Sequence, residues 1–133
     1  MIKIGLVGLG HGRTLLELNT PDLYRSENDY LNKEIIPMKV TALCDTNEDV
    51  LSKFSKEYNI DSCTTDFYEL IKMDDIDVVG IYTPGPLHAQ QILAALDAGK
   101  HVMVTKSMVY TEKEAEDVVK AVDKSGLVLL VSQ

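Results

Sequence analysis

Residues 78–107 read V-V-G-I-Y-T-P-G-P-L-H-A-Q-Q-I-L-A-A-L-D-A-G-K-H-V-M-V-T-K-S, from Val78 to Ser107. An apolar run, Val78 to Tyr82, stops at the Pro84-Gly85-Pro86 turn. A helical pattern follows and closes at Gly99, the residue type that ends helices by entering the left-handed region. A second apolar run, His101 to Thr105, then delivers one lysine, Lys106. The stretch is therefore a β-α-β unit that carries a functional group out of its second strand.

The same alternation extends to both sides. Ile2 to Val7 is apolar apart from Lys3, short and rich in β-branched residues, which predicts a strand buried on both faces. Gly8-Leu9-Gly10-His11-Gly12-Arg13 follows at once, and Thr14 to Leu18 begins a helix that Asn19-Thr20-Pro21 ends. Pro21 to Pro37 is polar, turn-rich and longer than most connections, which fits an ordered lid or a mobile surface insertion. Lys39 to Cys44 is the second strand. Asp45-Thr46-Asn47 suits a helix N-cap before an amphipathic helix through Tyr58. Asp66 and Glu69 have capping-box spacing for a short helix to Lys72. Thr111 and Glu114 form another box, opening a helix with Ala115, Val118, Val119 and Val122 on one face and Gly126 at its end. Leu127 to Val131 is the last strand. Short strands alternating with helices, and no Asn-Gly hairpin, predict an α/β fold: a doubly wound, six-stranded parallel sheet with helices on both faces, the Rossmann arrangement.

Composition bounds what such a domain can do. The 133 residues suffice for one domain, and 45% hydrophobic content is ordinary for a globular protein. No apolar stretch approaches the ~20 residues of a membrane helix, and no signal peptide is expected, so the predicted location is cytoplasmic, without a membrane partner. A formal charge of −8 with no Lys/Arg cluster disfavours nucleic acid. Cys44 and Cys63 lack C-x-x-C spacing and read as reduced and structural. Asp74, Asp75 and Asp77 lack a histidine or fourth ligand at useful spacing, and read as a solvated turn and not a metal site.

The candidate chemistry begins at the glycines. A turn directly after the first strand suits a pyrophosphate, with Gly8 for the tight bend, Gly10 leaving room for backbone N–H groups to reach the phosphates, and Gly12 for close helix packing. His11 lies in the same turn, and Arg13 meets either the pyrophosphate or solvent. Asp45, at the end of the second strand, can accept from the adenosine ribose hydroxyls and repel a 2′-phosphate, which favours NAD over NADP. Its other reading is a cap on the next helix. Lys106 stands where ligand crevices form, beyond the carboxyl end of a parallel strand; the alternative is a solvated lysine.

The Gly8-Leu9-Gly10 turn, Leu43-Cys44-Asp45, Thr83-Pro84-Gly85-Pro86-Leu87-His88-Ala89, the A-L-D-A-G-K-H-V segment and the following lysine together resemble the N-terminal domain of the Gfo/Idh/MocA oxidoreductases, the glucose-fructose oxidoreductase and inositol dehydrogenase family. The resemblance spans the whole chain. It implies that Lys106 takes the place of the lysine in a Glu-Lys-Pro signature beside the nicotinamide, with Thr83, Pro84 and His88 along the same rim. This chain has Thr105-Lys106-Ser107 instead. It further implies a dinucleotide-binding domain over residues 1–133, a second, substrate-binding domain absent from this chain, a homo-oligomeric complete protein, and hydride transfer between NAD and a sugar, cyclitol or related hydroxyl compound. A nucleotide-binding or redox-sensing module without catalysis is the alternative, for which the altered signature would be a symptom.

Overall fold

The computed structural model describes residues 1–20 and 37–132. All of the Pro21–Pro37 insertion except Pro37 lies outside the described residues.

Six strands form one parallel sheet: β1 (Ile2–Val7), β2 (Met38–Cys44), β3 (Ser62–Thr64), β4 (Val78–Ile81), β5 (His101–Thr105) and β6 (Leu129–Ser132), in spatial order β3-β2-β1-β4-β5-β6. The order reverses at β1. The chain leaves β1 toward β2 on one side, then returns to place β4 on the other, and the reversal opens a crevice at the carboxyl ends of these strands. Among the described residues five α-helices cover the sheet: α1 (Leu9–Gly12), α2 (Glu48–Tyr58), α3 (Phe67–Ile71), α4 (His88–Asp97) and α5 (Glu112–Ser125).

Strand alternation divides the core into two layers. On one face Ile4 and Leu6 of β1 and Val40 and Leu43 of β2 pack with Leu16 and with Leu51 of α2. On the other, Val79 and Ile81 of β4 and Val102 and Val104 of β5 pack with Leu70 of α3, Ile92 and Ala95 of α4 and Val118 of α5. The doubly wound fold read from the sequence is the fold observed.

Boundaries moved where backbone groups found other partners. The predicted helix at Thr14–Leu18 is instead α1, starting at Leu9, followed by a 3-10 segment from Arg13 to Asn19. This tighter stretch carries Leu16 into the core and brings Asn19 to β2, where its amide bonds both N–H and C=O of Val40 at 2.9 Å. The Asp66/Glu69 capping box is only half formed. Asp66 accepts from Tyr68 N–H at 2.7 Å, while Glu69 turns away to Lys72. Strand β6 starts two residues late, since Leu127 N–H and Val128 N–H donate to Ser125 Oγ and His101 Nδ1. On α5, Val118 is fully buried but Val119 is 55% exposed, one position off the face that meets α4.

The Thr111 capping box is complete: Glu114 N–H donates to Thr111 Oγ1 at 3.2 Å, and the Glu114 carboxylate accepts from Thr111 N–H and Tyr110 N–H, both at 3.0 Å. The two backbone donors hold the Glu114 carboxyl below its ordinary range. A depressed native pKa stabilises the fold above the unfolded value, and that contribution is lost as pH falls through the native value. Thr111→Ala removes the N-cap hydrogen bond to Glu114 N–H and should cost about 1 kcal/mol, a few degrees in melting temperature. Glu114→Ala should melt below the parent at neutral pH, and the gap should narrow as the pH drops through the carboxylate range. Thermal denaturation followed by circular dichroism across pH measures both.

Candidate functional site

One cleft of about 980 Å³ runs along the carboxyl ends of β1, β2, β4 and β5. That volume is at the upper end of small-molecule sites. Its lining includes Gly8, Gly10, His11, Arg13, Asp45, Thr83, Pro84, His88 and Lys106, so nine of the ten residues singled out in the sequence share one surface. Gly12 is the exception. It is buried beneath, and a β-carbon there would stand 3.1 Å from both Leu6 Cδ1 and Tyr82 Cβ, so its smallness lets α1 sit close on the sheet.

Gly8 makes the bend possible. Its φ of +84° is a region that side chains disfavour, and a β-carbon would lie 2.6 Å from the carbonyl oxygen of Tyr82. Gly10 is different: nothing lies within 4 Å of the place its β-carbon would take, so the missing side chain leaves open cleft. The amides of Gly10 and His11, in the first turn of α1, have no intrahelical carbonyl and are available to an anionic oxygen.

Asp45 closes this end. Its Oδ2 accepts Leu9 N–H at 2.8 Å and its Oδ1 accepts Asn47 N–H at 2.9 Å. The cap of α2 is Asn47, whose Oδ1 accepts from Asp49 and Val50, so Asp45 is not that helix's cap. Each Asp45 oxygen keeps a lone pair for a further donor such as a ribose hydroxyl. Beneath the turn, Tyr82 is half-buried, and burial pushes its phenol up against an opposing hydrogen bond from Ser132. Cys44 lies beside Asp45, its thiol pushed up to about 12 by burial and then by the charges of Asp45 and Asp66. It is therefore protonated and inert at neutral pH. Cys44 and Cys63 are both free thiols.

The β4–β5 end is built around a buried ring. His88 is 0% exposed; its Nδ1 lies 2.7 Å from the carbonyl oxygen of Ser107 and its Nε2 lies 2.8 Å from that of Thr83. One imidazole thus ties the turn after β4 to the turn after β5. The Thr83 hydroxyl is in turn hydrogen-bonded to Gln91, the other buried polar residue of α4. Lys106 is exposed at the cleft, with its backbone N–H on Ser132 carbonyl at 3.0 Å, and among the described residues it makes no ion pair. Its peptide bond to Ser107 is cis.

Several lining residues carried no signal in the sequence. Gln91 was legible only as a polar residue among the apolar positions of α4. Gly85 and Tyr110 come from separate turns, and only the packed structure brings them together. Among the described residues no cluster of His, Cys, Asp or Glu could hold a metal ion, and no helix is long and apolar enough to cross a membrane.

Removing the His88 ring should be expensive. His88→Ala leaves a cavity and removes the ring that joins the Thr83 and Ser107 carbonyls, which should cost about 2–4 kcal/mol and lower the melting temperature by on the order of 10 °C. A melting curve within a degree or two of the parent would show that the clamp contributes little.

Known proteins share this architecture. The family model described as oxidoreductase family, NAD-binding Rossmann fold (Gfo/Idh/MocA) matches residues 2–133. Oxidoreductase P35 of Formosa agariphila is 32% identical over 132 residues, covering 98% of this chain and 37% of that protein. The scyllo-inositol 2-dehydrogenase (NADP(+)) IolU of Bacillus subtilis is 28% identical over 97 residues, covering 73% of this chain and 30% of that protein. The crystal structure of scyllo-inositol dehydrogenase from Lactobacillus casei with bound NAD(H) and scyllo-inositol superposes with a TM-score of 0.83 at 28% identity, covering 99% of this chain and 36% of that one. The chain spans roughly a third of the length of the curated relatives it matches.

Proposed function

Because this chain belongs to the Gfo/Idh/MocA oxidoreductase family, matched across its NAD-binding Rossmann domain at residues 2–133, we propose that it is the cofactor-holding part of an enzyme that moves a hydride between a nicotinamide dinucleotide and a sugar, cyclitol or related hydroxyl compound. The observation that carries the reading is the convergence of the Gly8–Gly10 turn, Asp45 and Lys106 on one cleft at the point where the strand order reverses.

The residues present fit the dinucleotide. The open place at Gly10 and the amides of Gly10 and His11 would hold the pyrophosphate, with Arg13 nearby as a counter-charge, and the free lone pairs of Asp45 would take the adenosine ribose hydroxyls. A 2′-phosphate would meet the Asp45 carboxylate, followed by Thr46 and Asn47 with no arginine, so NAD is the cofactor we assign in preference to NADP. Thr83 and Pro84 would border the other end, held in place by the buried His88 ring, where a bound nicotinamide would supply the hydride donor or acceptor. Lys106 carries the role we assign to catalysis. Its ammonium can stabilise negative charge on a reacting oxygen or hold the proton that a hydroxyl gains or loses. With Thr105 where the family signature has glutamate, Lys106 would act without a neighbouring carboxylate.

We place substrate contacts in part on chain outside this domain, in keeping with relatives about three times as long, and assign the complete protein to a cytoplasmic homo-oligomer. Free thiols at Cys44 and Cys63 suit a reducing compartment.

Ligand-induced stabilisation tests the cofactor assignment. At one hundred times its Kd a ligand adds about 2.7 kcal/mol, so NAD should raise the melting temperature by several degrees and NADP by visibly less. Asp45→Ala should shrink the difference between them, and equal shifts in the parent would reject the role of Asp45. For chemistry, Lys106→Ala in the complete enzyme should lower kcat by about 10²–10⁴ while the Kd for NAD changes only slightly. A kcat within a few-fold of the parent would reject the catalytic role of Lys106, and a complete parent protein that binds NAD but turns over no such substrate would transfer preference to the non-catalytic nucleotide-binding reading.

A further inference from the structure

Tyr110 lies on the segment between β5 and α5, and its environment is unusual for an exposed aromatic. The side chain is 64% exposed, yet it lines the cleft together with Lys106 and Thr105. Its backbone is pinned, because Tyr110 N–H donates to the Glu114 carboxylate at 3.0 Å as part of the α5 capping network. The ring lies directly across Gly85. A β-carbon on Gly85 would overlap Tyr110 Oη and Cε2 and stand 2.7 Å from Cζ.

Gly85 is not one of the residues with positive φ, so its backbone has no need of glycine. What the missing side chain provides is room for the phenol. The result is an aromatic ring resting on backbone, held at its root, with much of its surface open to a ligand cleft. Such a ring is a ready platform for a flat partner. Its location selects which one: Gly85 follows β4 and Lys106 follows β5, whereas Asp45 and the glycine turn stand at the β1–β2 end.

We propose that Tyr110, seated on Gly85, is a specificity-determining contact for the nicotinamide ring of the bound dinucleotide. The inference rests on the dinucleotide reading above. It adds a residue outside the Lys106 signature, and assigns Gly85 the task of admitting the ring.

Calorimetric titration of the 133-residue chain with NAD and with ADP-ribose, which lacks the nicotinamide, tests it without any turnover. Tyr110→Ala should weaken NAD by about fivefold and leave ADP-ribose within about twofold, the size of one aromatic contact. Tyr110→Phe, which keeps the ring, should bind NAD like the parent. Gly85→Ala displaces only the far end of an exposed side chain, so it should keep the parent's melting temperature while weakening NAD and sparing ADP-ribose. The Gly85→Ala/Tyr110→Ala double variant should match Tyr110→Ala alone, the signature of two residues acting as one. Undiminished NAD affinity in Tyr110→Ala, or equal loss for NAD and ADP-ribose, overturns the proposal and leaves the dinucleotide reading standing. A parent that binds neither ligand overturns both.

Discussion

Gly8 is where three strands are brought together. Its amide donates to Cys44 carbonyl at 2.9 Å on the β2 side, and one residue earlier Val7 carbonyl accepts Tyr82 N–H at 2.8 Å on the β4 side. Between these bonds the chain must leave the sheet and enter α1 at once, with the Tyr82 backbone so near that no β-carbon fits. A side chain at Gly8 would force β1 and β4 apart or tilt α1 away from the sheet. Either change would disturb the amides of Gly10 and His11 and pull Leu9 N–H from Asp45. The cleft is a consequence of that one close approach.

The two ends of the cleft are built on different principles. At the β1–β2 end the lining groups are backbone amides and one carboxylate, so a chain of formal charge −8 can still present a surface suited to an anion. Asp45 spends one lone pair of each oxygen on backbone N–H groups, and these bonds fix the direction of the remaining pairs. At the β4–β5 end the frame is a buried side-chain network running from Ser107 through His88 to Thr83 and Gln91. A fully buried ring with both nitrogens engaged allows little play between the turns it joins. Exposed groups, Lys106 and Tyr110, stand on that rigid base and remain free to meet a ligand.

Sequence reading reached the fold because its signals are local and repeated. Apolar runs too short for helices, glycines after helical patterns, and the Thr111–Glu114 box each depend on a few neighbouring residues. It failed where a backbone group had two possible partners. The Arg13–Asn19 segment wound as a 3-10 helix and sent Asn19 to Val40; Glu69 found Lys72 in place of its own helix's first amide; and Val128 N–H went to His101, shortening β6 at its start.

The amino-acid sequence by itself determined the strand and helix alternation, the glycine turn after β1, the acid at the end of β2 and the lysine at the end of β5, since each is set by residue type and spacing along the chain. The tertiary structure alone decided that His88 is buried with both nitrogens on carbonyl oxygens, that Gln91 belongs to its network, and that Gly85 makes room for Tyr110. These are relations between residues from different turns and helices. No periodicity links them, and they exist only once packing has fixed where each backbone runs.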